Sequence, residues 1–174
     1  GLKNSSSSEA REIVHYVKTH PDKTIAVITP FVNQRDKIKE ELNQNGITGV
    51  ECGTVHAFQG DEKQEIIFSL ALTKKTGEKT YGWLKNNKEL INVATSRAKE
   101  KLVIVGDKNQ INRLHKLGDN DDLFELCNYV RSNGKTTVTQ RDPESRALGI
   151  KPYSTETETA FLETLNHAIN AMMI

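Results

Sequence analysis

Three segments concentrate the residue types that handle phosphate. The first, Thr29-Pro30-Phe31-x-x-Gln34-Arg35, follows a β-branched apolar run and reads as the point where a strand gives way to a helix. There the Thr29 hydroxyl can meet a phosphate oxygen, helix N-terminal amides add partial positive charge, and Arg35 offers a planar fork for anionic oxygens. The plain alternative is a helix-entry turn with Arg35 solvated. The second segment runs from Gly53-Thr54-Val55-His56 through Phe58-Gln59-Gly60-Asp61-Glu62 to Lys63. Gly60 permits close approach of backbone to a ligand, and Gln59 and Glu62 supply polar contacts suited to a nucleotide. Its alternative is a charged surface loop in which Gly60 serves a turn and Phe58 closes the core.

The third segment is Leu90-Ile91-Asn92-Val93-Ala94-Thr95-Ser96-Arg97-Ala98-Lys99. Leu90, Val93, Ala94 and Arg97 stand at i, i+3, i+4 and i+7, so Arg97 leaves the helix from its apolar face. One explanation is a cation placed well at a helix C-terminus, worth roughly 0.3 to 1 kcal/mol, with its stem lying along the core. The other is an arginine finger, whose guanidinium neutralises charge on a phosphoryl group in transfer and contributes roughly 10³ to 10⁵ in rate.

The elements that must position these residues follow from patterning. Ser6-x-x-Glu9 has capping-box spacing and opens a helix over about 9–19. Thr24 to Thr29 reads as a buried strand, Asn33 as the N-cap of a helix that exits at Asn45-Gly46, and Glu65 to Leu72 as a second strand. A polar stretch over 73–83 reads as a surface insertion. A helix over about 87–98 then leads to a strand at Leu102 to Val105, and Ile111, Leu114, Leu117 and Leu123, Leu126, Val130 mark two further amphipathic helices. Strands alternating with helices predict an α/β fold, a parallel sheet with helices on both faces. Residues 1–133 form that domain. Residues 134–152 read as a linker or extended excursion. Thr155-x-x-Glu158 followed by Phe161, Leu165, Ala168 and Met172 predicts a helix that opens a further, truncated domain over 153–174.

Composition narrows the functional classes. Lys and Arg number 24 against 23 Asp and Glu, so any nucleic-acid contact is local rather than a bulk charge effect. No apolar run is long enough to span a bilayer and no signal pattern opens the chain, which points to a cytoplasmic protein without membrane partners. The two cysteines and five histidines lack metal or redox spacing, so no metal site is expected. No G-x-G-x-x-G follows a strand, which argues against a dinucleotide-dependent enzyme.

Taken in order, the three segments resemble motifs IV, V and VI of superfamily 1 helicases, in the branch of the nonsense-mediated-decay and Dna2-type enzymes. The resemblance spans about residues 9–107 and implies the C-terminal RecA-like domain (P-loop NTPase-type) of an ATP-dependent helicase, of the kind found in DNA repair. It implies Arg97 as the finger, Arg35 as a second arginine at the γ-phosphate, and Gln59, Gly60 and Glu62 near the nucleotide. Thr29, Pro30, Thr54 and His56 would face a single nucleic-acid strand, DNA rather than RNA. His56 has a packed or hydrogen-bonded histidine as its alternative. The family commonly has Leu-Thr-Arg where this chain reads Thr95-Ser96-Arg97, which leaves the arginine in place. These residues contain no G-x-x-x-x-G-K-[ST] loop and no acidic pair for magnesium. ATP and Mg²⁺ are therefore expected to be bound mainly by an N-terminal RecA-like domain of the same parent chain. The second reading is a non-catalytic nucleic-acid-binding scaffold on the helicase fold. The segment at 153–174 faintly resembles the first helix of restriction-endonuclease-like domains.

Overall fold

The computed structural model describes residues 4–54, 62–133, 135–138 and 160–166. Helix α1 (Ser7–Thr19) starts as its sequence predicts, with Ser6 Oγ accepting from the Glu9 amide at 3.2 Å. The reciprocal half of the cap comes from elsewhere. The Ser6 amide donates to Gln34 Oε1 at 2.6 Å, because the Glu9 carboxyl is turned into the core.

Strand β1 (Ile25–Ile28) is wholly buried, and its alternation explains the layering. Ile25 and Val27 join Ile13, Val17, Ile38 and Leu42 on one face of the sheet, while Ala26 and Ile28 join the cluster on the other. Successive side chains of a strand point to opposite faces, so a strand apolar at every position must be covered twice. Beside β1 lie β2 (Glu51–Gly53), β3 (Lys63–Ser69) and β4 (Ala98–Asp107), parallel and in the order β2-β1-β3-β4. Helices α1 and α2 (Val32–Gln44) cover the first face. The second is covered by α3 (Glu78–Lys85), α4 (Lys88–Ser96), α5 (Lys108–Leu114) and α6 (Asp122–Asn133). Each fully buried Ile, Leu or Phe in these clusters contributes about 1.5–3 kcal/mol.

Four expectations are corrected. Helix α2 begins at Val32 with Phe31 as its N-cap and no side-chain cap, so Asn33 lies inside the first turn. Burial of Phe31 at 8% exposure fixes the entry instead. The stretch read as a surface insertion holds all of α3 but its last two residues, with Thr76 and Tyr81 buried and the Tyr81 hydroxyl donating to Asp121 Oδ2 at 2.5 Å. Leu117 lies past the end of α5 and is 100% exposed. Finally, Ala160–Asn166 is not helical but a strand, β6, antiparallel to β4, and β5 (Lys135–Val138) pairs with β6 in turn. The buried strand β4 would otherwise present an open row of backbone donors and acceptors, and satisfying that edge outweighs helical spacing. Residues 139–159 and 167–174 lie outside the described residues, as does most of the expected linker.

Candidate nucleotide and strand-contacting site

At the edge where the parallel strands end, the Thr29 amide donates to the Gly53 carbonyl at 3.1 Å, tying the exit of β1 to that of β2. This brings Thr29, Pro30 and Thr54 together. Pro30 and Thr54 are half-buried, whereas Thr29 is fully buried and its Oγ1 accepts from the Phe31 amide at 3.5 Å. Thr29 therefore builds the turn and presents its neighbour, rather than offering its own hydroxyl to solvent. Such an edge is where open α/β sheets accept ligands.

The opposite edge, where strands begin, holds Arg97 and Glu62. Asn87 caps α4, its side chain accepting from the Leu90 amide at 3.2 Å, and Leu90 and Ala94 are fully buried as the periodicity requires. Thr95 is also fully buried. Its hydroxyl donates to the Ile91 carbonyl at 2.8 Å, so its polar group is satisfied within the helix. Arg97 closes α4 as its C-cap in the αR conformation, half-buried, and its carbonyl accepts from the Lys63 amide at 3.0 Å. Glu62 precedes Lys63 and pairs with Lys99 at 3.8 Å, both well exposed. A long, solvated pair of this kind is weak and open to exchange for a ligand.

Arg35 stands apart from this edge. Its carbonyl faces the Cys52 thiol at 3.8 Å and its guanidinium pairs with Asp36 at 2.9 Å. Cys52 is in register with Val27, Ile67 and Val103, five residues along β4 from Ala98, or about 16 Å of strand rise. Moreover α2 and α4 cover opposite faces of the sheet. The fold brings Arg97 and Glu62 to one edge and leaves Arg35 away from both. His56, Gln59 and Gly60 lie outside the described residues.

One polar network joins Gln34 of the first segment to Ser69 and Glu9, which the motif reading does not mention. Gln34, fully buried, donates through Nε2 to Ser69 Oγ at 3.0 Å, and Ser69 Oγ donates to Glu9 Oε1 at 2.9 Å. The same Glu9 oxygen accepts from the Ala71 amide at 3.0 Å, where Ala71 holds φ of 51°. Burial pushes the Glu9 carboxyl up to about 8 despite these bonds, and nearby Asp107, itself raised by burial, adds to the effect. A signal for Gln34 existed in its spacing. It shares the i, i+4, i+8 stripe with Ile38 and Leu42, the apolar face of α2.

Among the described residues no group of His, Cys, Asp and Glu is arranged to hold a metal ion, and no helix is long and apolar enough to cross a membrane.

A parallel β2-β1-β3-β4 core covered by helices on both faces defines an α/β domain. A family model described as an AAA domain matches residues 5–109. The DNA polymerase alpha-associated DNA helicase A of Schizosaccharomyces pombe is 42% identical over 89 residues, covering 51% of this chain and 13% of that protein. The RNA helicase Mov10l1 of Mus musculus is 35% identical over 134 residues, covering 72% and 10%. The DNA replication ATP-dependent helicase/nuclease DNA2 of Saccharomyces cerevisiae is 33% identical over 110 residues, covering 63% and 7%. The chain belongs to this AAA domain family, as a superfamily 1 helicase RecA-like domain of the Dna2-like branch. It spans about a tenth of the length of these relatives. A Geobacter metallireducens methyltransferase structure aligns at TM-score 0.47 and 12% identity, over 92% of this chain and 76% of that one, too distant to bear on activity.

Proposed function

We propose that this domain is the C-terminal RecA-like half of an ATP-dependent helicase or translocase, and that Arg97 is its arginine finger. The observation that carries the reading is the backbone pinning of Arg97 at the end of α4, beside β3, which begins at Lys63 just after Glu62. A guanidinium carried on that backbone can reach a cleft formed with a second domain and meet charge as it develops on the γ-phosphate of ATP. Glu62 is a carboxylate acceptor suited to ribose hydroxyls, and Gln59 and Gly60 belong to the same loop. The set fits one side of a nucleotide. The phosphate-cradling loop and the acids for Mg²⁺ are assigned to the N-terminal RecA-like half of the same parent protein, so hydrolysis requires both halves.

Because Arg35 lies on the other face of the sheet, the finger role is assigned to Arg97 alone. Pro30, Thr54 and His56 are assigned to the backbone of a single nucleic-acid strand passing over the exit edge, with Thr29 shaping the turn. DNA is the strand favoured, since one relative above is described as a DNA helicase and another as a DNA replication helicase/nuclease. Because β5 and β6 extend the same six-stranded sheet, the domain is taken to run through Asn166 rather than to end near residue 133.

Steady-state ATP hydrolysis by the parent protein tests the assignment. Arg97→Ala lowers kcat by roughly 10³ or more with nucleotide affinity little changed, because the finger acts chiefly in the transition state. Arg97→Lys restores little, since a point charge lacks the planar fork. A variant that hydrolyses ATP at the wild-type rate contradicts it.

A further inference from the structure

Trp83 has no role in the motif reading and is 54% exposed on α3. It stands against Phe31, the residue after Pro30, with ring centroids 6.0 Å apart and planes inclined at 47°. Phe31 is itself buried at 8% exposure, so it fixes the indole beside the exit edge of β1 while leaving more than half of it to solvent. The surroundings suit a nucleic-acid strand. Lys79 is exposed one turn earlier on α3, at i−4, and therefore shares the face of Trp83. The acid of that helix, Glu78, is engaged with Lys116 at 3.2 Å. A cation and a flat aromatic on one face, next to half-buried Pro30, form the pairing that single-strand binders use, a charge for the phosphate and a platform for the base.

We propose that Trp83 stacks on a nucleobase of the single strand that crosses this edge, with Lys79 meeting the adjacent phosphate. The inference rests on the strand-binding reading above and goes beyond it by naming a base contact. Stacking on an indole discriminates little among bases, because every base has a π-face. The contact therefore serves grip rather than sequence recognition.

Trp83 is the sole tryptophan of the chain, so its emission reports on this position without labelling. A fluorescently tagged oligo-dT is titrated at low salt, with binding read from the anisotropy of the tag and stacking from tryptophan emission. The inference predicts saturable quenching with the same midpoint as the anisotropy. An abasic strand of equal length binds more weakly and leaves the emission unchanged. Trp83→Ala weakens oligo-dT binding by about 5- to 100-fold, and Trp83→Phe restores most of it. Binding with unchanged emission, or Trp83→Ala binding as wild type, overturns the base contact and leaves the strand-binding reading intact. Absence of any anisotropy change overturns both. Trp83→Ala altering the sedimentation of the protein but not its strand affinity assigns the patch to a second copy of the chain and overturns the inference.

Discussion

The amide of Lys63 donates to the carbonyl of Arg97 across 3.0 Å, joining the first residue of β3 to the last turn of α4. Two segments more than thirty residues apart in sequence thus meet through backbone alone, and Glu62 and Arg97 come to one edge of the sheet. Side-chain substitution at either position leaves this backbone bond in place. The chemistry of Arg97 can therefore be removed without dismantling the edge that presents it.

The cap of α4 governs how firmly that edge is held. Asn87→Ala removes the bond to the Leu90 amide and costs about 1 kcal/mol. Urea unfolding checks this through a lowered midpoint at unchanged slope. Asn87→Asp or Asn87→Ser, which keep an acceptor, recover most of the loss.

Glu9 makes stability depend on pH. Its folded-state value of about 8 lies above the ordinary 4.5, so between those limits the folded chain holds a proton that the unfolded chain has released. Stability from this group is complete below about pH 4.5, falls as pH rises towards 8, and levels off beyond it. Glu9→Gln keeps an oxygen for Ser69 and Ala71 but cannot ionise. At pH 8 it is more stable than wild type by on the order of a few kcal/mol, and its denaturation midpoint varies less between pH 5 and 8. A variant with the same pH dependence as wild type assigns that dependence to other groups.

Gly106 is set by contact rather than by backbone conformation. A Cβ there would lie 2.9 Å from Leu70 Cδ1 and 3.3 Å from its Cγ, and Leu70 is fully buried. Gly106→Ala forces that side chain aside in a packed core and destabilises by about 1–3 kcal/mol. Gly106→Ala combined with Leu70→Ala costs less than the sum of the two single changes, a coupling that a double-mutant cycle measures.

Much of the sheet is readable in the sequence because a strand buried on both faces is apolar at every position, as Ile25 to Ile28 and Leu102 to Val105 are. Helix α4 is equally plain, since Leu90 and Ala94 keep helical spacing and both are buried. Helix α3 is hidden because only Tyr81 and Leu84 of its residues reach the core, against a background of Lys, Glu, Thr and Gly. Strand β6 is misread for a different reason. Phe161 and Leu165 stand four apart, a spacing that suits a helix, and the choice of strand is made by an unpaired edge of β4 that no local pattern announces. The place of Arg97 at the end of α4 is legible from helical spacing, and the distance of Arg35 from it is not. That separation depends on which face of the sheet each helix covers.

The most direct measurement is strand-stimulated ATP hydrolysis by the full-length parent, wild type beside Arg97→Ala, with single-stranded DNA and RNA supplied separately. The account predicts wild-type turnover that rises with a single strand, more with DNA than with RNA, and an Arg97→Ala variant slowed by roughly 10³ or more under both. A wild type without activity contradicts the motor and leaves a nucleic-acid-binding scaffold in its place, and a stimulated variant equal to wild type removes the finger from Arg97.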